Sequence, residues 1–258
     1  MDASALAPYD LEARLPRLGG MARPDGVAIV SERFWAFAGV DGSLREGEMP
    51  RTAGRFRRVP LLRGLMRLSL SLSPLLRRRG VASRRERWLL LAVILAPFGF
   101  AFLPHRISLF AGTAVTLGLI AWMLRGRTLA LHGAEHRAIA AAEERRLGST
   151  WRGEALPTRF AARCGTNFAA LVFPVAAALQ RVWPFAPTAY ASAAVVILSL
   201  ALTMELWLAV EGSKKALARA LLLPGLGLQR LTTREPRLEE THVALRAVES
   251  VLRRECNL

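Results

Sequence analysis

The feature that most constrains this chain is where its apolar residues fall. They gather into long runs bracketed by arginine instead of recurring at a helical or strand period. Residues 88–104 and 107–124 form one pair of runs, parted only by His105-Arg106. Residues 168–183 and 188–210 form a second pair, broken at Trp183-Pro184-Phe185-Ala186-Pro187. Each run is close to the ~20 residues that a helix needs to cross a ~30 Å hydrocarbon core. Arginines precede the first run (Arg77-Arg78-Arg79, Arg84-Arg85) and follow the second (Arg125, Arg127), while Lys214, Lys215 and Arg219 follow the fourth. Such blocks mark the cytoplasmic side. The expected fold is therefore mainly α: a multi-pass membrane protein with about four transmembrane helices in two hairpins and both termini in the cytoplasm.

Apolar residues make up 52% of the chain and the formal net charge is +16, carried by Arg far more than Lys. A nucleic-acid partner would call for an aromatic-interleaved basic face or a known binding module, and neither is visible. Membrane lipids, with an unidentified substrate or protein, are the expected partners. Cys164 and Cys256 are too few and too far apart for a disulfide framework, which fits a reducing compartment. Residues 1–20 hold acids and prolines and no continuous apolar core, so no cleavable secretory signal is expected.

The chain reads as six segments. Residues 1–58 are an N-terminal cytoplasmic segment whose stretches 26–30 and 34–40, with Asp41-Gly42 as a turn, predict a small β-hairpin. After a basic run at 51–58, residues 59–87 form a basic amphipathic helix with Leu61, Leu65, Leu68 and Leu72 on one flank and Arg63 and Arg67 on another. That pattern suits the headgroup region, or plain packing against neighbouring helices. The first transmembrane hairpin spans 88–124, a polar cytoplasmic segment 125–166, and the second hairpin 167–210. In the remaining 211–258, residues 221–229 are too short and broken to span and read as interfacial or re-entrant, while 239–253 are a soluble amphipathic helix.

Candidate chemistry concentrates in the polar segment, at Leu131-His132-Gly133-Ala134-Glu135-His136. At about 100° per residue, positions 132, 135, 136 and 143 fall within an arc of about 100°, so a helix would present two imidazoles and two carboxylates on one face. The spacing H-x-x-E-H is the inverted zinc-protease signature, with His132 and His136 as metal ligands and Glu135 as general base. A catalytic zinc site takes a third ligand and leaves one position open. Glu143 is one source, and Glu205, an acid inside the fourth apolar run, is another. Burying an acid there costs about 2.5–3.5 kcal/mol on insertion scales for Asp, so it calls for a partner or a function. Cys164 is the alternative third ligand. The plainer readings are a His132 and Glu135 that only cap and brace their helix, a Cys164 packed beside Gly165, and a Glu205 that reaches water. The expected cofactor is a divalent metal, zinc first.

The blocks His132-Gly133-Ala134-Glu135-His136, Arg163-Cys164-Gly165-Thr166 and Leu228-Gln229-Arg230-Leu231-Thr232-Thr233-Arg234-Glu235-Pro236 together resemble the bacterial YqhQ-like family, the domain of unknown function 1385. The likeness runs through nearly the whole chain. It implies a multi-pass protein of the bacterial inner membrane, described only as a predicted metal-dependent enzyme, and brings no substrate. Members usually carry His-Pro just before the RCGT block, where this chain has Ala161-Ala162. If that His is a metal ligand in relatives, this chain either replaces it with another group or does not bind metal in the same way. Two function classes stay open: a membrane-bound metal-dependent hydrolase or peptidase facing the cytoplasm, and a non-enzymatic scaffold, metal-handling or transport component.

Overall fold

The computed structural model describes residues 2–256 except 13, 51–58, 79, 101, 124, 186–187, 212 and 214. The basic run at 51–58, Arg79, Lys214 and the Ala186-Pro187 break lie outside the described residues. The chain divides into two compact units, one made of Met1–Arg51, Met123–Cys164 and Gln229–Leu258, the other of Thr52–Trp122 and Gly165–Leu228.

The first unit is α+β. A short helix α1 (Ala7–Leu11) precedes four strands, β1 (Gly19–Arg23), β2 (Gly26–Val30), β3 (Phe34–Gly39) and β4 (Leu44–Glu48). They form an antiparallel sheet in sequence order. The expected hairpin is its centre, β2 with β3, while Asp41-Gly42 turns β3 into β4. That turn is set by Gly42 at φ 89° and by the Ser43 N–H donating to Asp41 Oδ1 at 3.0 Å. Alternation puts Val27 and Ile29 of β2 on one face with their β3 partners Ala38 and Ala36, and all four join the buried core.

That face packs against two helices of the first unit, α5 and α10, and the helices of the second unit intervene in sequence: α2 (Leu62–Leu76), α3 (Arg84–Phe100) and α4 (His105–Met123). α5 covers Thr128–Glu143, α6 Leu147–Trp151 and α10 Leu238–Cys256. Ala134, Ala138, Ala141 and Ala142 of α5 are small enough to let α10 come close with Leu245, Val248, Val251 and Leu252. The amphipathic helix expected at 239–253 is α10, with Val243, Leu245, Val248, Val251 and Leu252 all buried. Asp10 at the end of α1 receives the Leu147 and Gly148 N–H groups at 2.8 and 2.9 Å.

The second unit holds α2, α3 and α4, then α7 (Gly165–Val182), α8 (Ala189–Glu211) and most of α9 (Ala216–Thr232). The basic amphipathic helix expected over 59–87 is shorter: α2 ends at Leu76 and α3 begins at Arg84, with Arg63 and Arg67 exposed and Leu65, Leu68 and Leu72 half-buried. The four-span architecture is overturned. Among the described residues one helix is long and apolar enough to cross a membrane, Tyr190–Val210 within α8, with 21 residues and a mean hydropathy of 2.2. The multi-pass topology and the cytoplasmic placement of the termini lose their support with it.

The reasons are local. α3 has 17 residues and opens on Arg84-Arg85-Glu86-Arg87. Its apolar remainder, 88–100, reaches about 20 Å at 1.5 Å per residue, short of a hydrocarbon core of about 30 Å. The apolar part of α4 among the described residues is the shorter Arg106–Leu119. α7 has 18 residues but Thr166 and Asn167 at one end, Gln180 and Arg181 at the other, and Pro174 inside. α9 is a single helix of 17 residues that carries Pro224, where a short broken piece was expected.

Candidate metal centre

α5 is buried over nearly its whole length, polar residues included: Glu135 is 5%, His136 2% and Arg137 4% exposed. The strand β1 and helix α10 pack on it. A further side is covered by the stretch from Thr232 to Pro236, which can lie there because position 133 is glycine. A Cβ at Gly133 would collide with the Arg234 carbonyl. The Arg234 N–H donates to Leu129 O at 2.9 Å and fixes the register of that stretch along α5.

The register decides what happens at the two histidines. His132 Nδ1 meets the Thr232 carbonyl at 2.8 Å, and His136 Nδ1 meets the Arg159 carbonyl at 2.7 Å. A carbonyl only accepts, so each Nδ1 carries the proton and each Nε2 is left with a lone pair. This is the arrangement by which proteins orient metal-bound imidazoles. The rings stand 4.4 Å apart, and His132 Nε2 lies 3.3 Å from Cys164 Sγ. Ligand atoms of His132, His136 and Cys164 all fall within 4.8 Å of one another. Burial holds both imidazoles below their usual value, His136 down to about 4, where His132 close by adds to the effect. Both are therefore neutral and able to ligate at pH 7.

His136 Nε2 is buried with no hydrogen-bond partner. An orphaned acceptor of this kind costs about 1–3 kcal/mol. A metal ion placed between the two Nε2 atoms and Sγ would satisfy it, so the residues fit the group that the motif implies. A mixed nitrogen and sulfur donor set suits zinc.

The other expected site residues go elsewhere. Glu135 packs on β1 and receives the Ala22 N–H, and burial pushes its carboxyl up to about 8. Glu143 pairs with Arg163, tying the end of α5 to the residue before Cys164. Glu205 lies in the second unit, where Arg63 Nε donates to it at 2.9 Å and the Leu61 N–H at 3.1 Å. None of the three carboxylates joins the cluster. Ala161 is half-buried and Ala162 exposed.

Several residues around the centre were not foreseen. Gln229, fully buried, clasps Ala161, accepting its N–H at 2.9 Å and donating to its carbonyl at 2.7 Å. This holds the segment that carries Cys164. Arg159 Nη1 donates to Thr233 O at 2.9 Å, and Arg137 Nε to Pro157 O at 3.1 Å. Both guanidiniums meet Glu235. Gln229, Thr233 and Glu235 lie in one of the sequence blocks that stood out together, but no spacing rule ties Gln229 to residue 161.

Fold and site define a class: an α+β unit with a His-His-Cys cluster fit for a metal, in a chain that also has one helix apolar enough to cross a membrane. A family model described as "Protein of unknown function (DUF1385)" matches residues 105–254, and the chain belongs to that family. No curated protein and no solved structure matches it.

Proposed function

We propose that this is a membrane-anchored, metal-dependent protein in which His132, His136 and Cys164 hold a zinc ion and α8 crosses the bilayer. The observation that carries the reading is the pair of Nδ1–carbonyl bonds, which turn two lone pairs toward one thiol and leave His136 Nε2 buried and unpartnered. Three protein ligands with a fourth position open is the pattern of catalytic rather than structural zinc, so the reaction class proposed is metal-assisted hydrolysis. The ion would supply Lewis-acid polarisation of an oxygen at that position. The protein's part is to hold the two imidazoles neutral and aimed, through Thr232 and Arg159, and to seat the thiol through the clasp on Ala161.

A second reading has its own support. Glu135 and Glu143 are committed to β1 and to Arg163, so no described carboxylate stands with the ligands as a base. A protein that binds or hands on metal without turnover needs none. Metal analysis of the detergent-purified chain tests the shared part. Stoichiometric zinc is expected in the wild type and its loss in His132→Ala, His136→Ala and Cys164→Ala, and equal metal content in all four proteins would end both readings. Cobalt substitution then reports the open position, because an added thiol or hydroxamate shifts the visible spectrum only if a coordination place is free. Hydrolysis, once found, should be lost together with the metal in the same three variants.

A further inference from the structure

We infer that the turn between α2 and α3 is a binding site for the phosphate headgroup of an anionic phospholipid. The inference rests on the proposed membrane residence of the chain but not on the metal.

The turn is rigid. The Val81 N–H donates to the Pro74 carbonyl at 2.7 Å and Gly80 to Arg77 O at 3.1 Å. A Cβ at Gly80 would strike that same Pro74 carbonyl. Val81 and Ala82, within the turn, are buried. Arg87 Nη1 reaches the carbonyls of Arg78 and Ala82 at 3.2 and 3.1 Å, so this guanidinium is spent on holding the turn. Ser83 and Glu86 close a capping box at the start of α3, with Ser83 N–H to Glu86 Oε2 at 2.7 Å and Glu86 N–H to Ser83 Oγ at 3.3 Å.

On this frame stand Arg77, Arg78, Arg84 and Arg85, all exposed. None of the four has an ion-pair partner among the described residues. Arg84 and Arg85 stand in the first turn of α3, where cations oppose the macrodipole, and like charges gathered on one turn repel one another.

The apolar surface beside them selects the partner. One helical turn on from Arg84 and Arg85 are Trp88 and Leu89, 65% and 66% exposed. Residues four apart share a helix face, so each guanidinium stands one turn from an exposed apolar side chain. Tryptophan at the level of arginine, with apolar surface continuing through Leu95, is the order of groups met on passing from headgroup phosphates into acyl chains. Nucleic acid or an acidic peptide matches the charge and leaves that apolar surface bare. An anionic lipid matches both.

The test uses the full chain in mixed micelles, with quenching of tryptophan fluorescence by acyl-brominated phosphatidylglycerol or phosphatidylcholine and Trp88→Phe as the subtraction control. The Trp88 signal is expected to be quenched at several-fold lower mole fraction of the anionic lipid. Each arginine changed to Gln should weaken that preference about fivefold at low ionic strength. In Arg77→Gln/Arg78→Gln/Arg84→Gln/Arg85→Gln the two lipids should become equivalent, with zinc content unchanged. Equal quenching by both lipids in the wild type, or a preference that survives the quadruple variant, would overturn the inference. Relief of quenching by inorganic phosphate alone would overturn it too, by making this a free-phosphate site. Carbonate extraction of membranes reports the α8 anchor separately, and zinc content the metal centre, so failure of either is not confused with failure here.

Discussion

Glu135 lies so close over Gly20 that a Cβ added to the glycine would fall 2.7 Å from its Cγ and Oε1. β1 reaches α5 only because position 20 has no side chain. Gly20→Ala should therefore cost about 1–3 kcal/mol through overpacking. Truncating Glu135 to Ala removes the obstacle, so the double variant should lose less than the two single losses added together. Urea unfolding followed by tryptophan fluorescence gives the three values. Strict additivity would mean that the two side chains do not meet.

The same carboxyl makes stability depend on pH. Burial raises it from 4.5 to about 8, so the folded chain keeps a proton that the unfolded chain has released. Stability from this group is highest at low pH, falls as pH rises from about 4.5 toward 8, and is level beyond. His132 and His136 are shifted downward and add a slope only below about 6.5. On metal-free protein between about pH 7 and 8.5, the wild-type urea midpoint should fall while that of Glu135→Gln holds nearly level. A wild-type midpoint independent of pH in that interval would contradict the burial of a neutral acid.

Legibility in the sequence varies residue by residue. His132 and His136 could be read from it, because a four-residue spacing on a helix brings two rings to one face whatever surrounds them. Glu143 shared their arc in projection, but projection hides rise: seven residues beyond His136 is about 10 Å along the axis, too far for one coordination shell. Glu135 was legible as a member of the motif and illegible as a neighbour of β1, since β1 reads Gly-Gly-Met-Ala-Arg and β4 Leu-Arg-Glu-Gly-Glu, neither with the alternation that betrays a strand. Cys164 reaches the histidines through contacts between segments far apart in sequence. The apolar runs misled for another reason: composition alone does not register that the helix carrying the first run ends at Phe100, or that Gln180-Arg181 interrupt the third.

Gln229 offers a test of how the third ligand is held. Gln229→Ala leaves the Ala161 N–H and carbonyl without the partners they have at 2.9 and 2.7 Å. Losing two such bonds costs about 1–3 kcal/mol, and loss of an outer-shell partner lowers metal affinity about 10–100-fold. Competition with a chromogenic chelator should show that weakening, with Gln229→Glu intermediate because it keeps one acceptor. Unchanged affinity in Gln229→Ala would mean that the clasp on Ala161 does not hold the third ligand in place.

Glu205 gives the complementary case, a carboxylate with a structural task and no expected effect on metal. Its Oε1 receives the Leu61 N–H at 3.1 Å while Arg63 Nε lies 2.9 Å and 3.0 Å from its two oxygens. Leu61 sits at φ 64°, a conformation that costs a non-glycine residue about 1–3 kcal/mol and persists only where neighbours enforce it. Glu205→Ala removes the enforcing acceptor and frees the start of α2, so limited proteolysis should cut near residues 59–63 faster than in the wild type. Glu205→Gln keeps an oxygen for the Leu61 N–H and should lie between the two. Zinc content should be the same in all three proteins. Loss of the metal in Glu205→Ala would instead return this acid to the ligand set and displace the pairing with Arg63 as its reason for being in α8.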